Sequence, residues 1–439
     1  MKLDGAGLTC AQVHEVAYGK ARVTIASLDR ARAAWRAARE LTGPVYGQST
    51  GVGANKDVSV SDGGFGLLRS HAGGAGDLVE PFRARGMLVV RLNQLLVGGS
   101  GVSPGVLPAL ESAINNGFTP PIRTYGAIGT GDLTALATTA LCLLGEVSWR
   151  GPSGDPPRYA LDSRDALPFM SSGALTLSDA ALACHRIRRL LTAAVDVAAQ
   201  SFAAVDASAE PVAAAVQEAR PHPGQALVAA RLRELLNGEP AARVQDPYGY
   251  RAFAQVHGAA LDVLERAERS VEIDMNGALE NPLIAENLAW HNGNFHGAPV
   301  ALALDALRAA VAHAAQLSTA RLATLMDPHI TGQLPFLAAH PGESGAMILE
   351  YVAQDALAEL RHLATPVTTG TAVISRGTED HASFATQAAR YCLRALEPLE
   401  IVLACERVAA TRALSRAPDP DHPLDEALDQ ARRTLAETK

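Results

Sequence analysis

The chain has 439 residues, of which 48% are hydrophobic and 19% charged, and its formal net charge is −8. That is apolar material for two or three domain-sized cores, with too little charge for a disordered chain. The negative balance, without a Lys/Arg cluster, argues against a nucleic-acid partner, and no uninterrupted apolar run reaches the ~18 residues of a membrane span.

In chain order, the spacing of Ile25, Leu28, Ala31, Trp35 and Ala38 predicts an amphipathic helix over Val23–Leu41. A glycine-rich loop comes next over Gly43–Asp57, and another over Gly73–Asp77. Pro104–Asn115 reads as helical. Leu133–Val147 is apolar nearly all round and predicts a helix buried on most sides, with Asp132 as its N-cap. Trp149–Asp165 holds three prolines and reads as a surface excursion. Further helices are expected at Ala174–Asp206, Gly224–Asn237, Ala252–Glu272, Pro299–Met326, Gly345–Ala364 and Ser383–Ala413, with a polar one at Asp425–Glu437. The expected fold class is therefore all-α, built on a long central helical bundle. The expected organisation is an N-terminal domain over 1–170, a central bundle over 171–415 and a short C-terminal helix over 416–439.

Residue usage narrows the chemistry. There are four lysines, Lys2, Lys20, Lys56 and Lys439, which argues against a Schiff-base lysine and hence against pyridoxal chemistry. No phosphate-binding G-x-x-x-x-G-K-[ST] is present. The five cysteines, Cys10, Cys142, Cys184, Cys392 and Cys405, are scattered without C-x-x-C spacing. They suit a reduced, cytoplasmic protein rather than a disulfide scaffold. The thirteen histidines show no metal-ligand spacing, so no metal is expected. His313 and His362, on apolar helix faces, read as structural.

Polar, glycine-rich clusters punctuate the helices: Tyr46 to Gly53 (YGQSTGVG), Ser70 to Gly76 (SHAGGAG), Gly129-Thr130-Gly131-Asp132-Leu133, Arg243 to Arg251 (RVQDPYGYR), Glu280 to Leu283 (ENPL), Gly293 to Leu307 (GNFHGAPVALALDAL) and Gly377 to Ser383 (GTEDHAS). Glycine lets a backbone approach a ligand closely. The Tyr, His, Glu and Arg beside it supply acid–base groups and a carboxylate anchor. Each cluster taken singly is also compatible with an ordinary loop or helix cap.

In order and spacing these clusters, together with the pattern Arg91, Asn93, Gly98 and Ser100-Gly101, resemble the histidine and phenylalanine ammonia-lyase family, the aromatic amino-acid lyases and aminomutases, from about Tyr46 to about Arg407. The resemblance implies a carbon–nitrogen lyase acting on an aromatic or polar α-amino acid, by ammonia elimination or a 2,3-amino shift. It also implies a homotetramer with shared active sites, and a C-terminus shorter than that of typical members. By position, Tyr46 matches the general base and Tyr248 a second active-site tyrosine. Arg251 matches the carboxylate anchor, with Gln245 beside it. Phe295 matches an aromatic next to the electrophile, with Asn294 adjoining. His71 and Glu379 match the histidine-type members, and Ser171 falls where relatives carry an asparagine.

The catalytic electrophile of relatives forms when an Ala-Ser-Gly tripeptide cyclises and dehydrates to a methylidene-imidazolone. Here that motif reads Gly129, Thr130, Gly131. Two outcomes are open: a cyclised group whose alkene carries an extra methyl, or a plain loop capping a helix, and the plain loop is expected. Amide positions of relatives have also changed, to Ser171, Glu343, Leu360 and Thr378. No external cofactor is expected, and a self-derived group is doubtful. The alternatives are a divergent member without the electrophile, performing proton abstraction, addition or cyclisation on an amino-acid-derived substrate, and a non-catalytic scaffold subunit.

Overall fold

A computed structural model describes residues 1–60, 64–236 and 241–437. Asn237, which ends one expected helix, and Lys439, at the end of the 416–439 segment, lie outside the described residues. The chain is 59% helix and 5% strand, so the fold is all-α. Its strands form short pairs among the described residues: β1 (Lys2–Leu3) parallel to β2 (Thr24–Ile25), β3 (Ala75–Leu78) antiparallel to β4 (Arg123–Tyr125), and β5 (Leu283–Ala285) antiparallel to β6 (Leu288–Trp290).

Seven helices carry the core and the site: α1 (Pro81–Val97), α2 (Leu133–Leu144), α3 (Ala174–Ala204), α4 (Phe253–Met275), α5 (Ala298–Leu325), α6 (Ile348–Leu363) and α7 (Leu396–Ser415). Two compact units divide the chain. The first comprises Met1–Ala183, Glu268–Leu304 and Pro366–Arg390; the second comprises Cys184–Ala267, Asp305–Thr365 and Tyr391–Lys439. Both are discontinuous in sequence, whereas the segments expected from sequence run in chain order.

In the first unit, α1 escapes a periodicity reading because its interior carries polar groups. Arg91, Asn93 and Gln94 are fully buried in it. Each is satisfied: Arg91 donates from Nη1 to Glu280 Oε1 at 2.9 Å and from Nε to the Phe169 carbonyl at 2.9 Å, while Asn93 and Gln94 donate to the Met275 and Asp274 carbonyls. A buried charge is tolerable only when paired and hydrogen-bonded in this way. The helix starts with Pro81 in its first turn and stops at Gly98, whose φ of 93° closes the last turn in the left-handed region.

The second unit is organised around Phe202, Tyr250, Phe253, Leu322, Leu349 and Cys405, all buried in one apolar cluster. Inside it Arg321 and Glu406 form a fully buried, two-pronged ion pair, with N–O distances of 2.6 and 2.8 Å. Ser201 and Ser318 donate to the same carboxylate. All five cysteines are buried, and none is joined in a disulfide.

Several expected boundaries shift for identifiable reasons. The first expected helix begins at Asp29 rather than Val23, because Thr24–Ile25 pairs with the N-terminal strand. The expected single helix over Ser383–Ala413 divides into Ala385–Arg394 and α7. Pro398 causes this, since it lacks an N–H and its ring clashes with the carbonyl four residues back, that of Arg394. The helix expected to reach Val147 ends at Leu144, where Gly145 has φ 79°.

By length and composition α5 is long and apolar enough to cross a membrane. It contains no uninterrupted apolar run of that length because Asp305, Arg308 and His313 break the sequence. Arg308 is buried and bonded to Asp305 and to the Leu363 carbonyl, and 56% of the apolar window is buried within the protein, as in a core helix.

Candidate active site

The first unit gathers the N-termini of three helices. Gly131 lies two residues before α2, Gly173 immediately before α3 and Gly297 immediately before α5, and all three line one small cavity of about 20 Å³. Gly129, Thr176, Asp274 and Phe295 line it as well. The first amides of a helix have no partner within the helix, and its aligned peptide dipoles leave a partial positive charge there. Loop 129–131 therefore sits where negative charge is favoured.

Part of that potential is already met by the chain. The Gly129 carbonyl accepts from the Gly297 amide at 3.1 Å and from Ser383 Oγ at 2.8 Å. Asp132 was expected to cap its own helix, but it makes no such bond. Its carboxylate instead accepts from the Thr176 amide at 2.7 Å and the Thr176 hydroxyl at 2.9 Å, in the first turn of α3. The Asp132 amide donates to the Ser172 carbonyl at 2.7 Å, which ties the loop down beside that helix start. Burial dominates the Asp132 carboxyl and pushes it up to about 6, against the lowering effect of its Thr176 bonds.

Tyr46 belongs to a second loop of the same unit. Its hydroxyl accepts from the Gly53 amide at 2.7 Å. Gly53 has φ 55°, and a Cβ there would lie 2.4 Å from Ser375 Oγ and 3.1 Å from Glu379 Oε1. Glycine is thus required for this loop to meet segment 375–379. Ser375 Oγ also accepts from the Ala54 amide at 2.9 Å. Burial raises the proton affinity of the Tyr46 phenol and the charge of Glu379 adds to it, while the Gly53 bond opposes both. Segment 375–383 therefore touches both loops, with Ser375 and Glu379 at the Tyr46 loop and Ser383 at Gly129.

The remaining sequence candidates fall into separate places. His71 ends the helix Gly64–His71; its Nδ1 lies 2.9 Å from the Leu67 carbonyl and 3.1 Å from Ser70 Oγ. It lines a cavity of about 780 Å³ behind Gly47–Val52, not the small cavity of Phe295. Asn294 is exposed, and its amide donates to Asn292 Oδ1 at 2.8 Å. Ser171 is buried, and its hydroxyl accepts from the Asn281 amide at 3.3 Å. Gln245, Tyr248 and Arg251 belong to the second unit. There Arg251 donates to the Gln245 side chain, and its guanidinium lies 4.7 Å from the centre of the exposed Tyr248 ring. Gln245 and Arg251 line a pocket of about 320 Å³ in that unit.

Sequence reasoning passed over Asp274, Thr176, Ser383 and the histidine pair His296–His381, whose Nε2 and Nδ1 are 3.0 Å apart. His296, Ser383 and their neighbours were visible in GNFHGAP and EDHAS as motif letters, without a sign of which atoms they serve. Among the described residues no group of three or more His, Cys, Asp or Glu is placed to hold a metal ion.

Comparison with known proteins decides the class. The sequence matches the family described as "Aromatic amino acid lyase" over residues 8–437. The chain belongs to the aromatic amino acid lyase family. It is 35% identical to a histidine ammonia-lyase of Geobacillus thermodenitrificans, over 94% of this chain and 88% of that protein. The fold is similar to that of the tyrosine aminomutase from Streptomyces globisporus, with TM-score 0.91, 26% identity, and coverage of 100% of this chain and 97% of that one. It is also similar to the histidine ammonia-lyase from Trypanosoma cruzi, with TM-score 0.87, 27% identity, and coverage of 99% and 93%. The chain is thus an enzyme of the ammonia-lyase and aminomutase class.

The loop at Thr130 has no room for a side chain at its first position: a Cβ at Gly129 would come 2.2 Å from Ser383 Oγ and 2.5 Å from the Ala385 amide nitrogen. Gly129 has φ 88° and Gly131 φ 126°, both outside the range that side-chain-bearing residues favour. Besides its glycines, the adjoining cavity is walled by Thr176, Leu177, Asp274, Leu279, Phe295, Val300 and Ala385.

Proposed function

We propose that this enzyme acts on an aromatic or polar α-amino acid of histidine- or tyrosine-like shape, with chemistry that begins by removing the β-proton. The observation that carries this is the junction of the two loops through segment 375–383. It supplies a base at Tyr46, a carboxylate at Glu379, and three helix N-termini that favour the negative charge left behind. In this reading Tyr46 is the general base, and Phe295 and Asn294 flank the side chain of the substrate. His71 and Glu379 select for a polar one.

Arg251 holds the substrate carboxylate with its planar fork, beside Gln245 and Tyr248. Arg251→Lys keeps the charge and loses the fork. Binding of L-histidine and L-tyrosine, followed by calorimetry, is expected to weaken by about 1–3 kcal/mol; unchanged affinity would place the carboxylate elsewhere.

The oligomer proposed is a homotetramer in which Gln245, Tyr248 and Arg251 of one copy serve the site of another. Exposed Leu302, Ile348 and Tyr351 on long helices support association, since a lone chain would leave them in water. Light scattering at micromolar concentration should give four chains. A monomer would remove the shared site. The five buried thiols, none in a disulfide, accord with a cytoplasmic place.

A second reading concerns the electrophile, and Thr130 favours it. The residues present do not fit a methylidene-imidazolone. Thr130 replaces the serine, so a dehydrated residue would carry an extra methyl, and Gly129 is packed for hydrogen alone. The enzyme in this reading keeps proton abstraction and works on its amino-acid substrate, or one derived from it, without that group. Retention of Tyr46 and Glu379, which meet at Gly53, disfavours a purely scaffolding subunit.

A further inference from the structure

One short segment meets both loops of the site. It runs from His291, directly after β6, to Gly297, directly before α5. At one end His291 Nε2 accepts from the Tyr46 backbone amide at 3.3 Å. At the other the Gly297 amide donates to the Gly129 carbonyl at 3.1 Å. Asn292 braces the backbone between them. Its amide donates to Asn281 Oδ1 at 2.9 Å, its Nδ2 donates to the Glu280 and Trp290 carbonyls at 3.0 and 2.9 Å, and its Oδ1 accepts from the Asn294 amide at 2.8 Å. His296 ties the same segment to segment 375–383 through His381. All of these residues belong to the first unit.

The direction of the His291 bond fixes the state of its ring. A backbone N–H only donates, so Nε2 carries a lone pair and the imidazole is neutral, with its proton on Nδ1. His291 is exposed, and a hydrogen bond made there competes with water and adds little to stability. Its effect is on direction. The backbone of Tyr46 is the point from which the phenol extends to the Gly53 amide. A general base works only within hydrogen-bond reach of the proton it takes, and an error of about 1 Å in such a group costs on the order of 10²-fold in rate.

We infer that His291 is a positioning residue for the general base: as a neutral acceptor at the Tyr46 amide, it holds the Tyr46 loop in a fixed place relative to Gly129-Thr130-Gly131 through the braced segment 291–297. The inference rests on the reading of Tyr46 as the base and deepens it. His291 acts through Tyr46 and not on the substrate.

Three substitutions in the full-length protein test this. His291→Gln keeps an acceptor at the reach of Nε2, His291→Asn keeps one only at the reach of Nδ1, and His291→Phe keeps a ring without an acceptor. The readout is loss of β-hydrogen from deuterated L-histidine or L-tyrosine. His291→Gln should stay close to the wild-type kcat, whereas His291→Asn and His291→Phe should lower it roughly tenfold, between the effect of one lost hydrogen bond and that of a misplaced base. KM and Tm should not move. Deuterium exchange at the Tyr46 amide, which needs no substrate, should quicken in His291→Asn and His291→Phe and not in His291→Gln. A double-mutant cycle reads the coupling: in a Tyr46→Phe background His291→Phe should cost nothing further. Wild-type rates in His291→Phe, a loss in His291→Gln as large as in His291→Phe, or equal losses in both backgrounds would overturn the role of His291 and leave Tyr46 as the base. If the wild type exchanges neither substrate, or Tyr46→Phe exchanges like the wild type, the reading of Tyr46 falls and this inference with it.

Discussion

Replacing Tyr46 by phenylalanine is expected to lower turnover roughly 10²–10⁴-fold, the usual contribution of a positioned acid–base group, with the fold intact. The ring remains to fill its half-buried place, and the bond lost is the one its hydroxyl accepts from the Gly53 amide. The pH dependence should carry the same signature. Burial and the Glu379 charge raise the phenol above its ordinary value of 10.0, so the proton is held at neutral pH and the basic form is scarce. Wild-type rates should therefore climb with pH through the neutral and mildly alkaline range, as phenolate becomes available. The variant should lose that slope. Loss of β-hydrogen from deuterated L-histidine or L-tyrosine, followed by NMR, measures both effects. Wild-type-like exchange in Tyr46→Phe would remove this residue from the mechanism.

The second large effect concerns the loop at Thr130. Intact-protein mass is expected to equal the translated mass, because cyclisation with dehydration would remove two waters and no such loss is anticipated. Ammonia release from histidine, tyrosine or phenylalanine should then be very slow or absent. Thr130→Ser is expected not to restore fast elimination. The substitution returns the hydroxymethyl of relatives, but the rest of the surroundings stays as it is. Gly129 remains packed for hydrogen against Ser383 and Ala385, and Ser171, Glu343 and Leu360 still stand at the positions where the family resemblance implies amides. A two-water deficit together with rapid urocanate- or cinnamate-type absorbance would overturn this and return the protein to electrophile-dependent chemistry.

These two experiments separate proton abstraction from amine activation. A protein that exchanges β-hydrogen through Tyr46 but releases no ammonia would have kept the first half of the family's chemistry and not the second.

What can be read from the residues alone depends on the range of the interaction concerned. The helical class is legible in the apolar spacing of segments such as Leu133–Val147 and Ala174–Asp206, because helical periodicity is a local property of the chain. Family membership is legible as well, because YGQSTGVG, RVQDPYGYR and GNFHGAP hold side chains in fixed local relation. What escapes is non-local. Arg91 and Asn93 are legible as part of the family pattern, but helix α1 is hidden from periodicity because the burial of Arg91, Asn93 and Gln94 depends on Glu280 and the carbonyls of Phe169, Met275 and Asp274 being brought against them. Asp132 looks like the cap of its own helix, but its carboxylate is taken by Thr176, 44 residues later. The residue order was thus enough to show a helical chain of this family, with threonine where an electrophile would form. Folding had to be seen before Gly129 proved to have no room for a side chain and segment 375–383 to join the two loops. Periodicity and motifs act over a few residues, whereas burial and charge pairing depend on partners from 44 to 189 residues away in these examples.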